Sequence, residues 1–179
     1  MRHTFGAFWT CLAAMGAGAC SDASPPAAEG DITASLSGSV NKQGSIAGGD
    51  KGPTASGYGQ TVLDGTNGVH VSCKVSPSGT TYKVQAHIQS AEMAVDLASG
   101  DIRSEATMAF LLPGTVETFD SVDQNNNSAA TCTVTTDAPY IVRSQSIYAS
   151  FECPTVRSSA NVSDVARASG FFVFTGCDK

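Results

Sequence analysis

The chain has 179 residues, of which 41% are hydrophobic and only 15% charged. Ten Lys and Arg stand against sixteen Asp and Glu, a net charge of −6, and the basic residues are scattered singly. That balance argues against nucleic acid as a partner and against electrostatic docking on anionic lipid, and it leaves a chain of the usual size for one domain with a sizeable core.

Residues 1–19 begin with Arg2 and His3 and continue through FGAFWTCLAAMGAGA without a carboxylate. A positive start, an apolar run and small residues at its end are the layout of a secretory signal peptide. The run falls short of the roughly 20 apolar residues that a permanent helical span usually needs, so it reads as a segment that is removed. Ala17, Gly18 and Ala19 then lead into Cys20.

The stretch LAAMGAGAC resembles the lipobox of bacterial lipoproteins, with Ala17 where leucine is usual. The resemblance covers this segment alone. It implies a diacylglyceryl thioether on Cys20, which becomes the mature N-terminus, and palmitate-type acyl chains that hold the protein to a bacterial membrane facing the periplasm or cell exterior. Two or three such chains anchor stably where one does not. The alternative is ordinary cleavage after Ala19 or near Ala23, which leaves Cys20 free or disulfide-bonded. Residues 20–31, with the polar string SDASPPAAEGD, read as a flexible linker, and residues 32–179 as a single β domain.

Along that domain, β-branched and aromatic residues alternate with polar ones between turn clusters, the pattern of half-buried strands. Ile32, Ala34, Leu36 and Val40 form one alternating face. Asn41 to Gly57, rich in Gly and Ser, reads as a loop or a broken edge strand, and a short strand is expected near Tyr58 to Leu63. Val69, Val71, Cys73 and Val75 are answered by Tyr82, Val84, Ala86 and Ile88 across Pro77, Ser78 and Gly79, which predicts a hairpin. Further strands are expected at Met93 to Leu97, Ala106 to Leu112, Ala130 to Val134, Tyr140 to Val142, Ile147 to Cys153 and Phe171 to Cys177. Only Asn161 to Ala168 reads as helical, with Val162, Val165 and Ala166 on one face. Short strands at regular spacing indicate an all-β antiparallel sandwich, immunoglobulin-like or related, with a barrel as the alternative.

With Cys11 in the signal and Cys20 at the anchor, four cysteines remain: Cys73, Cys132, Cys153 and Cys177. An even number in an exported domain predicts two disulfides, for which three connectivities exist. Pairing Cys132 with Cys153 closes a short loop, and pairing Cys73 with Cys177 clamps the last strand to an early one. The competing immunoglobulin-like pair, Cys73 with Cys153, would lack a Trp to pack on it. The cysteine spacings do not form the CxxC knuckles of a zinc site. The strand VSCKV around Cys73 and the terminal Cys177 are distantly similar to the mycobacterial small lipoprotein antigens, a similarity that transfers no function.

If Cys73 lies opposite Val84 and Val71 opposite Ala86, both apolar faces meet, and His70 falls opposite His87 on the outer face. Two imidazoles so placed could share a transition metal, although the same register opposes Lys74 and Lys83 and supplies no third ligand. Asp123, Asn125 and Asn127 alternate as the first ligands of a calcium loop do, but Ser128 takes the place of its Gly and Val134 that of its Glu. An Asn-rich turn is the plainer reading, and no metal or other cofactor is assigned. GGDKGPT lacks the Lys-Ser or Lys-Thr pair of a phosphate loop. Asn126 and Asn161 begin Asn-x-Ser sequons, which carry no weight beside a bacterial lipobox. There is no GxSxG elbow, so a Ser-His-Asp device would have to recruit His70 or His87.

The expectation is therefore a membrane-tethered, non-catalytic module that binds a protein, glycan or lipid at the cell envelope. An envelope enzyme with an unrecognised site and a structural subunit of an envelope complex are the alternatives. The anchor has a direct test. Labelled fatty acid should enter the wild type and not Cys20→Ser; a wild type that takes up no label and whose N-terminus maps elsewhere is secreted, not anchored.

Overall fold

Alternating apolar and polar residues place successive side chains on opposite faces of an extended chain, and this chain uses that pattern throughout. The computed structural model describes residues 26–47, 60–98, 102, 105–123, 130–136 and 141–178. In chain order the strands are β1 (Glu29–Gly38), β2 (Lys42–Ile46), β3 (Val62–Leu63), β4 (His70–Ser78), β5 (Thr81–Gln89), β6 (Ala94–Ala98), β7 (Glu105–Leu111), β8 (Phe119–Ser121), β9 (Cys132–Thr135), β10 (Ile141–Arg143), β11 (Ser146–Ser158) and β12 (Val165–Thr175). No α-helix occurs among the described residues.

All the strand pairings are antiparallel, and the strands run β2-β1-β12-β11-β8-β7-β6-β5-β4 in one continuous sheet. The sheet folds over so that its two halves share a core, giving a sandwich with barrel-like closure. At Gly30 of β1, an added Cβ would sit 2.9 Å from Ile88 and 3.1 Å from Val71, so β1 lies directly over β4 and β5. The rings of Phe110, Phe151, Phe172 and Phe174 run in series through this core at centroid spacings of 5.5, 6.2 and 5.8 Å. Each such contact adds about 0.5–1.5 kcal/mol beyond area burial, and together they link β7, β11 and β12.

Both edges of so long a sheet would expose unpaired backbone groups, and the β4 edge is closed residue by residue. Val71 N–H donates to Asp64 Oδ1 at 2.8 Å. Cys73 C=O accepts from Asp178 N–H at 2.9 Å, and Val75 N–H donates to Asp178 C=O at 2.9 Å. Gln145 N–H reaches Val75 C=O at 3.4 Å. The Cys73–Cys177 disulfide fastens the same junction, while Cys132–Cys153 joins β9 to β11 across 21 residues.

Several details differ from the sequence reading. The β4–β5 hairpin pairs Val71 with Ile88, Cys73 with Ala86 and Lys74 with Gln85, two residues away from the expected register. A slip of two keeps every side chain on its face, so the apolar pattern does not distinguish the two registers. The turn does: Gly79 at φ 62° is the first residue of a two-residue loop, as a type II′ hairpin requires. Asn161–Asp164 is a turn and not the start of a helix, and β12 begins at Val165. Ser158 Oγ accepts from the N–H groups of Ala160 and Asn161, and Asn161 Oδ1 accepts from Ser163 N–H, so side chains compete with helical bonding there. β1 starts at Glu29, three residues inside the segment read as linker. Of the two readings of Asn41 to Gly57, the edge strand holds at β2, whereas β8 is a strand that the pattern did not reveal.

β11 carries a bulge at which Pro154 and Thr155 together oppose Arg167, since Cys153 pairs with Ala168 and Val156 with Ala166. Proline, which has no N–H to give, is accommodated at such a bulge. Gly170 marks the tightest approach in the sheet. A Cβ there would lie 1.9 Å from the carbonyl oxygen of Thr33 and 2.9 Å from Phe151. Gly170→Ala should therefore cost about 3 kcal/mol by overpacking, measured as a fall in urea midpoint at unchanged slope; a loss below about 0.5 kcal/mol would show that β1 and β12 separate easily.

Candidate functional site

Outward residues of adjacent strands line up in rows, and one row crosses six strands: Ser72, His87, Asp96, Ala109, Asp120 and Arg157. Here His87 is held by Asp96, with Nδ1 and Oδ1 2.6 Å apart, and its side chain is 34% exposed. Its other nitrogen, Nε2, lies 3.3 Å from the side-chain amide oxygen of Gln89. His70 is opposite Gln89, not His87, and approaches Asp64 at 3.9 Å. The two histidines therefore each keep a separate carboxylate, and the shared-metal arrangement does not form.

Lys74 and Lys83 are likewise not opposed: Lys74 faces Gln85, and Lys83 faces Ser76. Of the calcium-loop residues, Asp123 is described, while Asn125 and Asn127 lie outside the described residues, as does Cys20. No cluster of three or more His, Cys, Asp or Glu fit to hold a metal occurs among the described residues.

Ser72, Lys74, Gln85, His87 and Asp96 line an open groove of about 380 Å³ that ends at Asp178. The alternation rule could place these residues outward, but only the hairpin register and the β5–β6 register put Ser72, His87 and Asp96 in one row. A second depression, of about 250 Å³, lies between Asp96 and Asp120 over the small residues Ala98 and Ala109. Partial burial is the main cause that raises the Asp120 carboxyl above its ordinary pKa, and the charge of Asp96 adds to it.

A different feature gathers at the far end of β1. The segments Gly38–Asn41, Leu112–Thr118 and Ser158–Asp164 meet there: Ser39 N–H donates to Val165 C=O at 3.1 Å, and Ser159 N–H to Thr118 C=O at 2.9 Å. Thr118 Oγ1 donates to Ser159 Oγ at 3.0 Å. Within the loops, Leu112 N–H donates to Thr115 Oγ1, and the Asn161 side-chain amide donates to Asp164. On these pinned loops Val116 is 95% and Val162 68% exposed. At the same pole, Ser37, Pro154, Thr155, Val165 and Arg167 surround a depression of about 390 Å³. Thr155 is buried there, and its hydroxyl has no hydrogen-bond partner. Arg167, across the bulge, pairs with Glu152.

Because the folded state raises the Asp120 pKa, it binds this proton more tightly than the unfolded chain does. The associated stability is present below the ordinary carboxylate pKa and is lost as pH rises through the raised value. Asp120→Asn should accordingly melt higher than the wild type at pH 7, with the gap closing at pH 3; an equal or lower Tm at pH 7 would show that the carboxylate is well solvated. No family model, curated protein or solved structure matches this chain, so its reading rests on these residues alone.

Proposed function

We propose that the protein is a cell-envelope lipoprotein, tethered through Cys20, that presents a rigid β domain for binding a partner at the pole remote from its tether. The observation that supports it is the direction of β1. The chain enters the sheet at Glu29, and Gly38 lies nine steps further along the strand, about 30 Å away at 3.3 Å per residue. The loops carrying Val116 and Val162 lie at that far end.

Exposed apolar side chains are common, but a valine left 95% exposed on a loop fixed by its own hydrogen bonds loses little backbone entropy on contact. The partner reading favours protein over glycan, because among the described residues of the pole there is no exposed aromatic ring on which a sugar could stack. Large exposed hydrophobic residues elsewhere among the described residues are confined to Leu63.

The test uses the tethered protein on cells. Chemical cross-linking followed by mass spectrometry should map partner cross-links to Lys42, which reaches over Gly114 in the same cluster of loops. The double variant Val116→Asp, Val162→Asp should lose them at unchanged Tm, as expected for surface positions. Cross-links that persist in the variant, or that map instead to Lys74 and Lys83, would refute the pole as the contact surface.

A further inference from the structure

The groove on the outer face of β4, β5 and β6 plays no part in binding at the pole, yet it contains three groups in the order that acyl transfer uses. Ser72 is directly opposite His87, and His87 is directly opposite Asp96. All three line the same groove. We propose that Ser72 is a nucleophile toward short-chain acyl esters, with His87 as its base and Asp96 as the positioning residue.

The hydrogen bond from His87 Nδ1–H to Asp96 Oδ1, at 2.6 Å, selects the tautomer that leaves the lone pair on Nε2. It also fixes the plane of the ring. Opposed side chains on one face have Cβ atoms about 5 Å apart, so the Ser72 hydroxyl and the imidazole are immediate neighbours on the outer face. In the resting state Nε2 is 3.3 Å from the side-chain amide oxygen of Gln89, an acceptor that favours a proton on Nε2, so the Gln89 side chain must turn away before this nitrogen can act as the base. The adjacent outward row is Lys74 and Gln85, an ammonium and an amide that also line the groove and can donate to a developing oxyanion.

The step balances without a cofactor. Ser72 Oγ attacks the ester carbonyl carbon as its proton passes to His87 Nε2. The tetrahedral intermediate collapses, the C–O bond to the alcohol breaks, and the alcohol leaves with the proton from His87. Water, activated by the same nitrogen, then hydrolyses the acyl-serine. Substrate size follows from the groove, which is open and has Ala98 as its exposed apolar side chain, Ala86 and Leu97 being turned into the core. It holds an acetyl-sized group and offers no tunnel for a long chain.

A fluorophosphonate probe tests this on the full chain, because attack by Ser72 expels fluoride and leaves a stable phosphonyl ester. Intact mass and peptide mapping should show one adduct, on Ser72. His87→Gln should slow its formation about 100-fold, the low end of what a general base supplies, and Ser72→Ala should abolish it. Gln89→Ala, which frees Nε2, should speed it, an effect that a purely structural role for His87 would not produce. Hydrolysis of p-nitrophenyl acetate should follow the same order. All the substituted side chains are on the outer face, and circular dichroism should confirm that each variant folds. No adduct on Ser72, or a rate indifferent to His87→Gln, overturns the proposal and leaves the cross-linking result at Val116 and Val162 untouched.

Discussion

The closure of the β4 edge is the constraint on which the rest of this structure depends. Nine strands in hydrogen-bonded sequence would leave β4 as an open template for another chain. Here the outward backbone groups at Val71, Cys73 and Val75 are met by Asp64, Asp178 and Gln145, three segments far apart in sequence. The Cys73–Cys177 bond holds the last of the chain where Asp178 can do this. Because that bond spans 104 residues, it removes much of the freedom of the unfolded chain, on the order of 4–5 kcal/mol in the chain-entropy account. One covalent link therefore both closes the sheet and supports the floor of the Ser72–His87–Asp96 groove, which ends at Asp178.

Alternation alone also misstates the surface. Asp31, Val173 and Tyr148 occupy outward positions of β1, β12 and β11 and are paired across the sheet, yet all three are buried. The outer face of this half is not simply solvated, and a buried carboxylate stands there beside apolar neighbours. On the other half, the row from Ser72 to Asp120 follows the simple rule and is partly open. The two halves thus differ in packing: outward positions are buried on one, and the other bears the polar groove.

Much of the architecture was legible in the residues. The alternation in β1, β4, β5, β6, β7 and β9 places the inward side chains correctly, since a buried apolar face leaves little choice of orientation. The readings that fail do so where two physical solutions share one pattern. Val162, Val165 and Ala166 satisfy a helical face as well as a strand end, and only pairing to both β11 and β1 decides for a strand. The hairpin register is ambiguous by two residues for the same reason. It was this ambiguity that hid the row, because the expected register opposed His87 to His70 and so concealed its alignment with Ser72 and Asp96.

By itself the sequence determined what local chemistry controls: an apolar N-terminal stretch ending at a cysteine, an acidic chain with scattered cations, four further cysteines, and strands whose inward faces follow from period-two burial. The tertiary structure decided what depends on partners distant in the chain. Pairing across strands selects the register, and thereby which polar residues share a row. Asp31, Val173 and Tyr148 are buried on the outward face, apart from the shared core, and the fold brings the loops of Val116 and Val162 to the same end of β1. These are properties of contacts between segments tens of residues apart, and a local pattern of side chains contains no term for them.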